Sequence, residues 1–155
     1  MSRFKISVSS DFKELWRYNI VAVCELCSAV GERIEYKSKE SNIAPVGSNL
    51  TAPPIDYDSK RTIVLESSEG DFVNLLVYVI PHTLPSTLDI NKTKNFHLTV
   101  KVEADKEILL NQVFDINQWS GDNITLRVES GERKTFLESL GALESLGEKK
   151  NTNSL

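Results

Sequence analysis

The sequence predicts a mainly β protein, an antiparallel β-sandwich with a short C-terminal helix. About six to eight short segments show the apolar and polar alternation that half-buried strands require. Polar turn residues separate these segments, and strands do not alternate with helices as they would in a parallel sheet. A chain of 155 residues is also long enough to form one domain with a sizeable core.

The N-terminal part predicts one strand and then an ambiguous segment. Phe4, Ile6 and Val8 alternate with polar residues, as in a half-buried strand. Residues 12–34 fit both a helix, with a capping residue and an apolar stripe, and a strand rich in β-branched and aromatic residues. The alternative fold is therefore α+β, with an N-terminal helix over residues 11–30 packed on an antiparallel sheet.

The central part predicts a hairpin over residues 62–80. Its first arm, 62–65, leads into the turn-like residues 67–70. Its second arm is apolar at both odd and even positions, which is typical of a strand in the middle of a sheet. Pro81 ends this arm because proline cannot donate to a sheet hydrogen bond.

A second hairpin is predicted over residues 96–114. The segment 96–103 alternates strictly between apolar and polar residues, and 104–107 is a polar connector. Residues 124–128 alternate in the same way and predict one more strand.

Two regions outside these strands complete the predicted organisation. Residues 41–60 form a long loop with three of the five prolines, and loops of this length are often functional or mobile. We expect a single β-sandwich domain over 1–147 and a flexible tail over 148–155. Apolar side chains at helical spacing predict the short C-terminal helix: Phe136, Leu140 and Leu143.

The charge and hydropathy patterns exclude several kinds of partner. The formal net charge is −4, and the acidic excess lies in residues 61–130, so nucleic acid or an anionic membrane is not expected to bind. No apolar stretch reaches the roughly 18 residues of a transmembrane segment, and no signal peptide is visible. We therefore expect a soluble, cytoplasmic protein.

The cysteines and histidines do not predict a catalytic or metal site. Cys24 and Cys27 lie in mid-segment among apolar residues, which favours two buried thiols over a redox pair at a helix N-terminus. A zinc site would also need His82 and His97, but their spacing from the cysteines is not that of a zinc motif. Both histidines are expected to be ordinary surface or loop residues.

Loop aspartates offer one weak candidate site. Calcium prefers oxygen ligands from loops, and four aspartates in loops are candidates for such a site: Asp56, Asp58, Asp89 and Asp122. The alternative interpretation is that they are solvated turn residues, because Asp is common in turns.

Residues 117–123 form another candidate contact. Trp119 lies among polar residues, including Asn117 and Gln118, and a tryptophan in such a loop can stack on a sugar or anchor a protein partner. The alternative is a plug over the open end of the sandwich core.

These observations favour a non-enzymatic binding module, a protein–protein interaction or assembly subunit that associates with a protein partner or with itself. Edge strands that could accept another strand support this hypothesis. No nucleophile elbow or phosphate-binding loop is present in the sequence, and no cofactor is expected apart from possible calcium. Two alternatives stay open: a carbohydrate- or calcium-dependent ligand-binding sandwich, and a hydrolase whose site is not visible in the sequence.

Overall fold

Two four-stranded antiparallel sheets pack face to face in the computed structural model, which describes residues 1–131. The strand order is β4-β1-β6-β7 in the first sheet and β3-β2-β5-β8 in the second. The strands are β1 (Ser2–Ser9), β2 (Tyr18–Cys27), β3 (Arg33–Glu40), β4 (Thr62–Gly70), β5 (Phe72–Pro81), β6 (Phe96–Ala104), β7 (Glu107–Ile116) and β8 (Asp122–Glu129).

The predicted antiparallel β-sandwich is thus confirmed. The short C-terminal helix and the tail over 148–155 lie outside the described residues. Helical structure within residues 1–131 includes three short 3-10 turns, Leu15–Arg17, Tyr57–Lys60 and Ile90–Lys92. No helix in the described part of the chain is long and apolar enough to cross a membrane.

The ambiguous segment 12–34 forms strand rather than helix. It contributes a 3-10 turn, all of β2 and the start of β3, so the alternative helix over residues 11–30 is wrong. In a strand, the side chains at every second residue all face the same side and can all reach the core. In a helix, the same side chains would spread around the axis and only some of them would face the core. The buried side chains repeat every second residue: Trp16, Tyr18, Ile20, Ala22, Cys24 and Leu26.

The predicted hairpin over 62–80 is wrong, although both of its strands exist. β4 pairs with β1 in the first sheet, whereas β5 lies between β2 and β8 in the second. The turn-like residues 67–70 belong to β4 itself, and the chain changes sheet at Asp71. Asp71 is bonded into the second sheet, because its N–H donates to the Cys27 carbonyl over 2.8 Å and its carbonyl accepts from Ser130 N over 2.9 Å. The interior position of β5 is confirmed.

The predicted hairpin over 96–114 is confirmed as β6 and β7. Its connector is a tight two-residue turn rather than the polar segment 104–107, with Asp105 at φ 49° and Lys106 at φ 75°. Two positive φ values twist the turn in the sense that matches paired strands. β8 confirms the strand predicted at 124–128.

The two ends of the sandwich differ in their connections. At one end the chain turns through short segments, 28–32, Asp71 and 105–106. All four longer connections lie at the other end, which we call the loop end: 10–17, 41–61, 82–95 and 117–121. Because loops on a rigid scaffold carry most binding sites, this end is the first place to look for function.

Candidate interaction site

The loop end carries every loop residue that the sequence singled out. Antiparallel pairing brings the ends of β3, β5 and β7 and the starts of β4, β6 and β8 to this end. The candidate residues there are Asp56, Asp58, Asp89, Asn117, Gln118, Trp119 and Asp122.

The four aspartates are not gathered into one cluster. Asp56 Oδ2 lies 3.5 Å from Lys60 Nζ, and Asp58 lies in the same 3-10 turn. Asp89 accepts the Asn91 N–H over 3.0 Å, and Asp122, at the start of β8, accepts the N–H of the next residue over 2.8 Å. Within residues 1–131 no three His, Cys, Asp or Glu side chains are grouped so that they could hold a metal ion.

Trp119 lies half-buried at the rim of the loop end. Its Nε1 donates to Thr93 Oγ1 over 3.1 Å, and the neighbouring Gln118 Nε2 donates to the Lys94 carbonyl over 2.7 Å. The Asn117 carboxamide accepts the Trp119 N–H over 2.8 Å. Trp119 and Gln118 therefore fasten loop 117–121 to loop 82–95, whereas the Asn117 bond lies within loop 117–121.

Three aromatic rings that the sequence analysis did not single out as a group close the core beneath these loops. Phe12 stacks on Phe96 with centroids 4.5 Å apart, and Tyr18 lies 5.0 Å from Phe96. The Tyr18 hydroxyl donates to the Gln118 carbonyl over 2.6 Å. Burial raises the pKa of Tyr18, which keeps the phenol protonated as a donor.

Asn19 holds the start of the long loop 41–60. Its Oδ1 accepts the N–H groups of Ile43 and Ala44 over 2.7 and 3.2 Å, and its Nδ2 donates to the Ala44 carbonyl. Ser41 continues the contact, because its Oγ accepts the Ile20 N–H over 2.9 Å. One side chain at the start of β2 thus satisfies three backbone groups of the loop.

Loops 41–60 and 82–95 are also bonded to each other. Asn49 N donates to the His82 carbonyl and Asn49 Oδ1 accepts the Leu84 N–H, both over 3.1 Å. Leu50 N donates to Thr83 Oγ1 over 2.9 Å. These bonds fix the two loops side by side and satisfy backbone groups that water would otherwise bind.

A groove of about 310 Å³ runs between the two bonded loops, and we call it the loop-end groove. Leu50, Leu84, Pro85 and Leu88 supply its apolar lining, with Arg17 at one side. Leu84 is 50% exposed and Leu88 is 67% exposed. Further exposed aliphatic side chains lie in the same two loops: Val46, Ile55 and Ile90.

The burial of His82 differs from the sequence prediction of an ordinary surface or loop residue. His82 lies in a loop as predicted but is buried, not at the surface, and its Nδ1 lies 2.8 Å from Thr83 Oγ1. Burial lowers the pKa of His82, and a backbone hydrogen bond with Trp16 acts in the opposite direction. The side chain therefore belongs to the support beneath the groove.

The other histidine and the two cysteines match their predictions. His97 is exposed, with its Nε2 3.1 Å from Asp115 Oδ1. Cys24 and Cys27 are free and buried. Burial raises the pKa of Cys24 to about 11 and also raises that of Cys27, so both thiols stay protonated near neutral pH.

The two outer strands of the first sheet differ in how well they are covered. Side chains of β3 lie along the open edge of β4: Lys37 Nζ donates to the Glu66 carbonyl over 2.8 Å, and Glu35 accepts from Ser68 N over 3.0 Å. β7 is ten residues long, contains no Lys or Arg, and pairs with β6 as its one strand neighbour in residues 1–131. Ile108 and Val113 on β7 are 54% and 56% exposed.

Comparisons with known proteins do not assign this chain to a family. A scan against protein-family models found no match, and neither did a search of curated proteins. Among solved structures, the chain is similar to a DUF4425 family protein from Bacteroides ovatus, with 12% identity and a TM-score of 0.44. That match covers 81% of this chain and 94% of the other, and at this level of similarity it carries no argument about function.

Proposed function

We propose that this protein is a non-enzymatic protein-interaction module that binds an apolar segment of a protein partner in the loop-end groove. The observation that supports this function is the exposure of Leu84 and Leu88 on loops whose backbone groups are already bonded to each other. Exposed aliphatic side chains beside a formed groove are typical of interaction sites.

The fixed loops lower the cost of binding. Ordering a flexible loop on association consumes binding energy, and a loop already held in place avoids much of that loss. The bonds of Asn49 to the His82 carbonyl and the Leu84 N–H provide this hold before any partner arrives. Burying one leucine side chain fully contributes about 1.5–3 kcal/mol, so Leu84 and Leu88, which are already partly covered, supply less than about 6 kcal/mol of the roughly 8 kcal/mol that micromolar binding requires. The other apolar side chains of the groove, Leu50 and Pro85, are expected to contribute the remainder.

The lining of the groove favours an apolar rather than an anionic partner. Arg17 is the one basic residue in the lining, and its Nε pairs with Glu14 Oε1 over 2.7 Å. Its Nη1 donates to the Leu84 carbonyl over 2.6 Å, and its guanidinium lies over the Trp16 ring. The Arg17 guanidinium therefore already has partners within this protein and is not expected to bind an anionic group. We expect the partner to contribute leucine-like or aromatic side chains.

A displayed peptide library tests this proposal. We expect panning against the wild-type protein to enrich peptides with paired apolar residues, and the double variant Leu84→Asp/Leu88→Asp to weaken their binding at least about tenfold. Val30→Asp is the control, because Val30 is at least as exposed as the two leucines but lies in the turn at the opposite end. The proposal fails if no peptide is enriched, or if enriched peptides bind the double variant as tightly as the wild type.

A further inference from the structure

We propose that β7 pairs with β7 of a second copy of this chain, antiparallel across a twofold axis at Val113. The two first sheets would then join into one continuous eight-stranded sheet. This inference goes beyond the proposed function and rests on a different part of the molecule, because the loop-end groove does not include any residue of β7.

The sequence of β7 is complementary to itself in this register. An antiparallel pair places facing residues on the same side of the sheet, so each match can be read directly from the sequence. With Val113 facing Val113, an aliphatic residue meets an aliphatic residue and an amide meets a carboxylate. The facing pairs are Leu110 with Ile116, Asn111 with Asp115, and Gln112 with Phe114.

The side chains that would meet on the outer face are exposed, and Asp115 among them also lies 3.1 Å from His97 Nε2 of β6. Within the hairpin, Asn111, Val113 and Asp115 face Lys101, Thr99 and His97 of β6, on the face opposite the buried core positions of β6. All three are exposed, and Val113 is 56% exposed. A pair of valines at the axis would remove this apolar surface from water.

Charge selects this register over its neighbours. Moving the axis to Asn111 would place Asp115 opposite Glu107, and moving it to Asp115 would place two copies of Asp115 together. Like charges directly opposite each other destabilise a strand pair. Axes at Gln112 or Phe114 would set Asp115 against an aliphatic side chain. Among the axes from Asn111 to Asp115, the axis at Val113 is the one that sets Asp115 against an amide.

Within residues 1–131, segment 110–116 of β7 carries few of the features by which proteins block strand addition. Lysine, proline, a covering loop or a bulge commonly protects an edge. β7 has neither lysine nor proline, and its irregularity lies near Ile108, outside the segment 110–116. By contrast, β3 covers the edge of β4 with Lys37 and Glu35.

Disulfide trapping tests the register. In Val113→Cys the two copies of residue 113 would have Cα atoms about 4.5–5.5 Å apart, within the range that a disulfide bridges. Ile108→Cys is the matched control: its exposure is nearly the same, but its two copies would lie roughly 33 Å apart, ten residues along the strand. The native thiols provide little background, because Cys24 and Cys27 are buried.

We expect mild oxidation to convert most of Val113→Cys, and little of Ile108→Cys, into covalent dimers. Sedimentation should show a dimer for the wild type. The dimer dissociation constant should be at least about tenfold higher for Asn111→Asp, because residue 111 faces Asp115 of the other copy. The double variant Asn111→Asp/Asp115→Asn should recover the dimer. A monomeric wild type, equal cross-linking of the two cysteine variants, or a dimer unaffected by Asn111→Asp would each overturn the proposal.

Discussion

The loop end and the β7 edge both expose aliphatic side chains, but their backbones differ. At the loop end, backbone groups of the two long loops are bonded to each other, as between Asn49 and His82. Along β7, one side of the strand pairs with β6 and the other has no strand neighbour within residues 1–131. The loop end therefore presents side chains on a satisfied backbone, whereas β7 presents backbone groups as well.

This difference separates two kinds of recognition. A surface with a satisfied backbone recognises a partner through side chains and shape, and it gains by being fixed in advance. An open strand edge recognises another strand through main-chain hydrogen bonds, with side chains selecting the register. Variants that weaken the contacts of the loop end should therefore leave β7 pairing intact.

The largest effect should come from the aromatic support of the loop end. Phe96 is buried between Phe12 and Tyr18, so Phe96→Ala should lower the free energy of unfolding by about 3–5 kcal/mol. Ile108→Ala on the exposed edge should change it by less than about 0.5 kcal/mol. Urea denaturation measures both, and similar losses in the two variants would contradict the comparison.

Asn19→Ala should have the next largest effect. It removes the acceptor of the Ile43 and Ala44 N–H groups and the donor to the Ala44 carbonyl, at a cost of about 2–3 kcal/mol. Hydrogen exchange should become faster at Ile43 and Ala44 and stay unchanged in β7. Unchanged exchange at those two amides would show that the loop is held by other contacts.

A smaller effect is expected from pH through His82. Burial lowers its pKa below the ordinary value of 6.5, so the unfolded state binds a proton first as the pH falls. Stability should therefore decrease from about pH 7 toward pH 5.5, and the decrease should be shallower in His82→Asn. Thermal unfolding across this range provides the measurement. An equally steep decrease in the variant would assign the pH dependence to other groups.

Trp119→Phe should have the smallest effect. It keeps an aromatic ring at the rim but removes the bond from Nε1 to Thr93 Oγ1, which contributes about 0.5–1.5 kcal/mol. Trp119→Ala is the comparison variant, and it should lose more because it also removes the ring. If Trp119→Phe matches the wild type in urea denaturation, this bond does not fasten loop 117–121.

The fold class was predictable because the strands alternate so regularly. Phe4, Ile6 and Val8, like the buried positions of β6, show a period of two that a helix cannot bury. The pairing of strands was less predictable: β4 and β5 are consecutive and both apolar, yet they belong to different sheets. Alternation determines which side chains face the core, but it does not specify which sheet a strand joins.

The candidate site was predictable in its location but not in its components. Proline-rich and polar loops correctly indicated a loop surface, and Trp119 lies on it. The bonds between Asn49 and His82 and between Leu50 and Thr83 could not be predicted, because they join loop residues that are more than 30 positions apart in the sequence. Asn19 is a polar residue at the start of an apolar strand. This is a weak sequence signal that a loop is bonded there.

The most direct test of the separation between the two surfaces is hydrogen exchange of the wild-type protein at low and high concentration. At high concentration we expect slower exchange in residues 107–116 and unchanged exchange in residues 41–61 and 82–95. That result would place self-association at β7 and leave the loop end free for a partner. Slower exchange at the loop end, or no change in residues 107–116, would contradict the account.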